Sequence, residues 1–169
     1  DYYLHNTDVT FDLLTNSMTA HNNYSEPWKV TVADTGLETM TGGRIKRIQK
    51  YIGDEPFLLT YGDGVSNVNI KELVKWHEEH GKMITMSAYN VEQRFGVLDI
   101  NAENEITAFR EKSKDDGSLI NIGYMVCQPE VFKLIEGDST VFEKEPLNKA
   151  AAMHELVAYK HGGFWQCMD

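Results

Sequence analysis

Apolar positions first recur at helical spacing around residue 45. Ile45, Ile48 and Ile52 stand at i, i+3 and i+7, with Arg44, Lys46, Arg47 and Lys50 between them. Gly53 follows as a helix stop, so the spacing predicts an amphipathic helix over 45–52. Phe57-Leu58-Leu59-Thr60-Tyr61 is a short apolar run with the character of a buried strand, broken by Gly62-Asp63-Gly64. Asn69, with Glu72 three residues on, reads as a capping box. Ile70, Leu73, Val74 and His77 then form an apolar stripe that Gly81 ends. The next strand covers 83–89. Helix, strand, helix, strand at this spacing indicates βαβ units and a parallel sheet. Further on, 96–100, 106–110 and 119–126 read as strands joined by short turns. Pro129 opens a helix across Val131, Phe132, Leu134 and Ile135 that Gly137 stops. An alanine-rich helix covers 146–154, and a short strand covers 155–159. The expected fold class is α/β, a mostly parallel mixed sheet flanked by helices.

Composition narrows the classes. The chain has 169 residues, 41% apolar and 25% charged, which suits one globular domain. Sixteen basic against 26 acidic residues leave a net charge of −10. Such a chain has no general attraction for nucleic acid or anionic lipid, so neither is an expected partner. No apolar run approaches the roughly 18–20 residues of a membrane span, and no signal peptide opens the sequence. Cys127 and Cys167 are far apart and form no C-x-x-C pair, which favours a reducing compartment. Asp1-Tyr2-Tyr3-Leu4 resembles the tail of a helix, and Phe164 to Asp169 is an apolar stretch that stops abruptly. Free termini are usually polar, so the expectation is a piece of a larger protein.

Several residues could carry chemistry. Asp63 sits just past the carboxyl end of a predicted strand, where open α/β sheets bind ligands, with glycines that let a ligand approach the backbone. Gly-Asp-Gly is equally the chemistry of a tight turn. Glu111-Lys112 ends another predicted strand; the pair could hold sugar hydroxyls and a phosphate, or be a solvated charge pair. Met40-Thr41-Gly42-Gly43-Arg44 leads into a helix, and successive glycines there can expose N–H groups to an anion. No P-loop or G-x-G-x-x-G pattern occurs. Asp169 could join Asp63 on one Mg²⁺, which takes oxygen ligands. His77-Glu78-Glu79-His80 spaces its histidines at i and i+3, not the i+4 of a zinc-binding H-E-x-x-H helix, and reads as a helix surface. Cys127 reads as core, and Cys167 as packing.

Taken together, Glu26-Pro27-Trp28, Asp34-Thr35-Gly36, Thr41-Gly42-Gly43-Arg44, Tyr61-Gly62-Asp63-Gly64-Val65, Arg94-Phe95-Gly96, Glu111-Lys112, Asn121-Ile122-Gly123 and Phe164-Trp165-Gln166 with Met168-Asp169 occur in an order that resembles the sugar-phosphate nucleotidyltransferases. Within that family the Thr-Gly-Gly-Arg run and Phe-Trp-Gln-x-Met-Asp resemble the subgroup acting on CTP and glucose 1-phosphate. The resemblance runs along the whole chain. It implies a Rossmann-like fold and a Mg²⁺-dependent cytidylyl transfer that gives CDP-glucose and pyrophosphate. It also implies a cytoplasmic homo-oligomer, with a product that feeds surface polysaccharides such as O-antigen.

By the same resemblance, Asp63 and Asp169 would be metal ligands and Lys112 would hold the sugar phosphate. Glu111 would hold sugar hydroxyls, and Gly96 and Gly123 would admit the hexose. Thr39, Arg44 and Gly62 would contact the nucleotide. Ser113 and Cys167 stand where the family usually has proline. The family's opening G-G-x-G-T-R loop and downstream lysine do not occur in the sequence, so this stretch is expected to be the central and C-terminal part of one domain, inactive on its own. Another nucleotide and sugar 1-phosphate pair, or a non-catalytic nucleotide-sugar-binding domain, stays open at this point.

Overall fold

The computed structural model describes residues 8–21, 27–90, 97–100, 106–110 and 119–168. The chain divides into two compact units, Asp1–Asp34 and Thr35–Asp169. The first contains an antiparallel hairpin that the sequence reading did not foresee. Its strands are β1 (Val9–Asp12) and β2 (Ser17–Ala20). Asp12 stabilises the turn by accepting from the N–H groups of Leu14 and Thr15, and Asn16 supplies a left-handed residue at φ 51°. The expected helix tail at residues 1–4 lies outside the described residues.

The second unit begins with α1 (Thr41–Arg47) and α2 (Gln49–Ile52). The single helix expected over 45–52 thus starts earlier and breaks at Ile48. There the Tyr51 N–H bonds back only three residues, to Ile48, in the tighter 3₁₀ pattern. β3 (Phe57–Thr60) and β4 (Gly64–Ser66) follow. The run with buried-strand character forms an edge strand, β3, with Phe57 and Leu59 half-buried and Leu58 exposed. α3 (Ile70–His80) keeps its predicted ends: the Asn69 side chain accepts from Glu72 N–H at 3.3 Å, and Gly81 closes the helix at φ 61°. Then come β5 (Ile84–Asn90), β6 (Val97–Ile100), β7 (Ile106–Arg110) and β8 (Leu119–Cys127). The helix expected after Pro129 is a 3₁₀ helix, Pro129–Leu134. α4 (Glu145–Ala152) leads into β9 (Leu156–His161), and β10 (Trp165–Cys167), unforeseen as a strand, comes last.

The main sheet has the order β3-β8-β5-β9. β8 runs antiparallel to both β3 and β5, and β5 pairs parallel with β9. The sheet is therefore mixed, as expected, but only one of its three strand pairings, β5 with β9, is parallel, because β8 runs against both of its neighbours. The β3–α3–β5 unit is split, because β8 inserts between its two strands. β4 pairs with β10, and β6 with β7, in separate antiparallel ladders.

Alternation along β8 feeds two cores. Met125 and Cys127 face a cluster with Ile45, Ile84, Val131, Phe132, Ile135, Phe142, Leu147 and Ala150. Ile122 and Val126 face the opposite cluster, with Leu73 of α3 and Val68. Helices thus cover both faces of the sheet, the α/β layering that was expected. Burial pushes the Cys127 thiol up to about 12, as befits an inert core residue.

His77 follows the apolar stripe on which the sequence places it, and corrects the reading of 77–80 as a helix surface. It is only 1% exposed, on the face of α3 that carries Leu73. Its ring reaches the Thr85 hydroxyl and the Gln128 side-chain amide, both at 2.8 Å. His80 also meets the Thr85 hydroxyl, at 2.8 Å, and accepts from Lys82 N–H. Sheet residues thus supply the polar partners that let a histidine face the core. Burial, then the neighbouring His80, holds His77 below the ordinary histidine value of 6.5. Below that value the unfolded chain binds more protons than the fold, so stability falls as pH drops. Melting temperature should therefore fall between pH 7.5 and 5.5, and His77→Gln should flatten the fall. An equally steep decline in the variant would remove His77 from the account.

Candidate active site

Tyr61, Gly62 and Asp63 form the turn between β3 and β4, so Asp63 lies past the carboxyl end of a sheet strand, as predicted. Its carboxylate is exposed, and a Cβ added at Gly62 would meet no atom within 4 Å, which leaves room beside it. The partner strand β10 runs antiparallel along β4, with Trp165 opposite Ser66 and Cys167 opposite Gly64. One residue further, Met168 N–H donates to the Asp63 carbonyl at 2.7 Å.

The turn before β10 is pinned to the same segment. Phe164 N–H donates to Asn67 Oδ1 at 2.7 Å, and the Ser66 hydroxyl donates to the Phe164 carbonyl at 2.8 Å. A Cβ at Gly163 would stand 2.3 Å from Asn67 Oδ1, so the close approach requires glycine. Main-chain pairing therefore brings the residue before Asp169 against Asp63. Asp169, Gly96, Glu111 and Lys112 themselves lie outside the described residues.

A polar chain borders Asp63. Asn121 Nδ2 donates to the Tyr61 hydroxyl at 3.1 Å, and Tyr61 donates to Glu143 Oε1 at 2.9 Å. From the other side Phe142 N–H donates to the Thr41 hydroxyl at 2.9 Å, and Thr41 donates to Glu143 Oε2 at 2.7 Å. Thr41, Tyr61, Gly62, Asp63 and Glu143 line one open depression of about 530 Å³. Partial burial, then the bond to Glu143, raises the Tyr61 phenol well above its ordinary value of 10.0. Sequence reasoning missed Glu143. It stands among Lys144 and Glu145 just before a helix proline, and nothing in that spacing distinguishes it from a solvated helix start.

Gly123 joins the same cluster. Its φ is +81°, its N–H donates to Asn121 Oδ1, and its carbonyl accepts from Tyr61 N–H. An added Cβ would lie 2.6 Å from the Tyr61 ring. The space that a side chain would take at 123 is thus filled by Tyr61.

The glycines that begin α1 differ from the expectation. Gly42 N–H and Gly43 N–H both donate to the Thr140 carbonyl, and Met40 N–H donates to Asp138. A Cβ at Gly43 would fall 2.6 Å from the Asp138 backbone. These glycines exist for close packing of the loop 138–140, which takes the N–H groups proposed for an anion. Arg44 donates to the Thr35 hydroxyl and the Leu37 carbonyl, at 2.7 and 3.1 Å. Arg47 grips Asp138 with two bonds and reaches the Thr35 carbonyl. Both arginines thus pin the loop that leads to the buried Thr39. Of the three residues expected at the nucleotide, only Gly62 borders the depression beside Asp63.

Among the described residues no three His, Cys, Asp or Glu side chains cluster as a metal site. An exposed carboxylate beside open space nevertheless suits Mg²⁺, which is held through one or two carboxylates and keeps several waters. Also among the described residues, no helix is long and apolar enough to cross a membrane.

Residues 9–166 match the family described as nucleotidyl transferase. The chain is 48% identical over 170 aligned residues to the glucose-1-phosphate cytidylyltransferase of Salmonella typhimurium. It is 39% identical, again over 170, to the probable glucose-1-phosphate cytidylyltransferase of Bacillus subtilis. Each alignment covers all of this chain and 66% of the relative, so the chain spans just under two thirds of the length of either protein. Among solved structures it is similar to a putative glucose-1-phosphate thymidylyltransferase from Bacillus anthracis. The TM-score is 0.55 at 17% identity, over 78% of this chain and 57% of that one, a likeness of fold.

Proposed function

The chain belongs to the nucleotidyl transferase family, and we propose that the protein carrying it transfers a cytidylyl group from CTP to α-D-glucose 1-phosphate. An oxygen of the sugar phosphate attacks the α-phosphorus of CTP. The bond from that phosphorus to the bridging oxygen breaks, and pyrophosphate leaves with its electron pair. The products are CDP-glucose and pyrophosphate. The observation that carries this reading is the 48% identity, along the whole of this chain, to a glucose-1-phosphate cytidylyltransferase.

The residues act by holding and orienting, since such a displacement needs no covalent enzyme intermediate. Asp63 and Asp169 are the residues that would hold Mg²⁺, which when bound neutralises charge developing on the phosphates. The β4–β10 ladder supports pairing these two, because it bonds Met168 to Asp63. Lys112 is assigned to the sugar phosphate and Glu111 to the sugar hydroxyls, with Gly96 and Gly123 beside the hexose. Gly62 gives the nucleotide room next to Asp63, and Thr39 and Arg44 complete its side of the site through the loop they support. A homo-oligomer in the cytoplasm, supplying surface polysaccharide synthesis, belongs to the same reading.

Pyrophosphate release by the whole protein should require CTP, glucose 1-phosphate and Mg²⁺ together. CTP should exceed UTP, dTTP and GTP by at least about tenfold in kcat/KM, the scale on which pocket contacts discriminate. Faster turnover of another triphosphate would reassign the base.

A further inference from the structure

We propose that Glu143 is a positioning residue that fixes Tyr61 and Thr41 as the wall of the depression beside Asp63; the inference rests on the nucleotidyl-transfer reading above. The direction of the hydrogen bonds carries the argument. The outer donors, Asn121 Nδ2–H and Phe142 N–H, can only donate. Each therefore fills an acceptor site on a hydroxyl, Tyr61 or Thr41, and each hydroxyl turns its own proton inward. Both protons end on Glu143, one per carboxylate oxygen, at 2.9 and 2.7 Å. Only a group that accepts at both ends closes this chain, and an ionised carboxylate does so.

Two parts of the fold meet at that carboxylate, the first turn of α1 through Thr41 and the turn after β3 through Tyr61, and Asn121 of β8 joins them through the Tyr61 hydroxyl. Tyr61 is two residues before Asp63, its N–H bonds to Gly123, and its ring packs on the Gly123 backbone. Fixing the phenol thus fixes the start of the turn that presents Gly62 and Asp63. With each oxygen tied to one hydroxyl, Glu143 is assigned to act through Tyr61 and Thr41 as a positioning residue. Its loss should appear in kcat more than in KM.

The test is a kinetic cycle in the whole protein with Glu143→Gln, Tyr61→Phe and the double variant, with Thr41→Val as a second way to break the chain. Gln keeps the shape but presents an NH₂ to one of two hydroxyls that already donate. Glu143→Gln should lower kcat about tenfold or more, the scale expected of a small misplacement in a preorganised site. KM for both substrates should stay within about threefold. Tyr61→Phe should match it, the double variant should lose no more than the worse single, and Thr41→Val should show a kcat loss of the same kind. Wild-type kinetics in Glu143→Gln, losses that multiply in the double variant, or a change in KM alone would overturn the inference. Wild type that prefers a triphosphate other than CTP corrects the base assignment, and the cycle is then read with that nucleotide. Wild type inactive with every triphosphate overturns the functional reading, and this inference with it.

Discussion

Asp63→Asn should cost the whole protein about 10²–10³ in kcat, and Asp169→Asn a similar factor. That is the scale of losing a preorganised electrostatic contact where charge develops. Asn keeps the shape and one oxygen but removes the charge that would anchor the metal. The two losses should not add, because both residues are assigned to one ion. Turn geometry alone makes the opposite prediction, since Asn suits turns almost as well as Asp. Asp63 does lie in the turn between β3 and β4, and its carbonyl is tied to Met168, so the structural role belongs to the backbone and survives in Asn. Turnover measured against Mg²⁺ concentration for both single variants and the double separates the two cases. Near-wild-type turnover at limiting Mg²⁺ in either single variant would remove that residue from the site.

Gly123→Ala should be strongly destabilising. The position lies in the left-handed region at φ +81°, where a side chain costs roughly 1–2 kcal/mol. The new Cβ would also stand 2.6 Å from Tyr61 Cδ2 and 3.1 Å from Tyr61 Cβ. Rotation of the ring leaves the Cβ contact in place, and the Tyr61 N–H bond to Gly123 holds the backbones together. Overpacking of this kind adds about 1–3 kcal/mol. The total, about 2–5 kcal/mol, corresponds to a fall in Tm of roughly 4–20 °C for a domain of this size. Gly62→Ala is the matched control. It meets open space and should leave Tm nearly unchanged, so any loss of activity there reports on ligand approach. Equal melting temperatures for Gly123→Ala and wild type would show that the Tyr61 contact yields freely.

Local signals foretold much of the fold. Asn69 and Gly81 marked both ends of α3 because capping and left-handed closure depend only on adjacent residues. The apolar strands of the main sheet were recognisable from their runs of Ile, Val, Met and Leu. Pairing was not, since the insertion of β8 between β3 and β5 depends on contacts far apart in sequence. The hairpin β1–β2 escaped because its strands are short and almost wholly exposed, and β10 because three residues are too few to show an alternation. His77 gave two signals: its place on the apolar stripe with Leu73 held, while the charged run His77-Glu78-Glu79-His80 read as solvated. Its partners Thr85 and Gln128 become visible only once the sheet is assembled.

In the site, Asp63 was readable from its place after an apolar run between glycines. The glycines at 42–43 gave a true signal with a different cause, close packing under the loop 138–140. Glu143 carried no signal, because its importance lies in two hydroxyls contributed from residues 82 and 102 positions away.

The central claim is that nucleotidyl transfer occurs at the α-phosphorus, with the sugar phosphate as nucleophile. CTP labelled separately at its α- and γ-phosphorus, incubated with the whole protein, glucose 1-phosphate and Mg²⁺, tests it most directly. The account predicts that α-label appears in a sugar nucleotide and γ-label in pyrophosphate, in equal amounts and only when the sugar phosphate is present. The γ-label on the sugar, or α-label released as free nucleotide without joining a sugar, would contradict it.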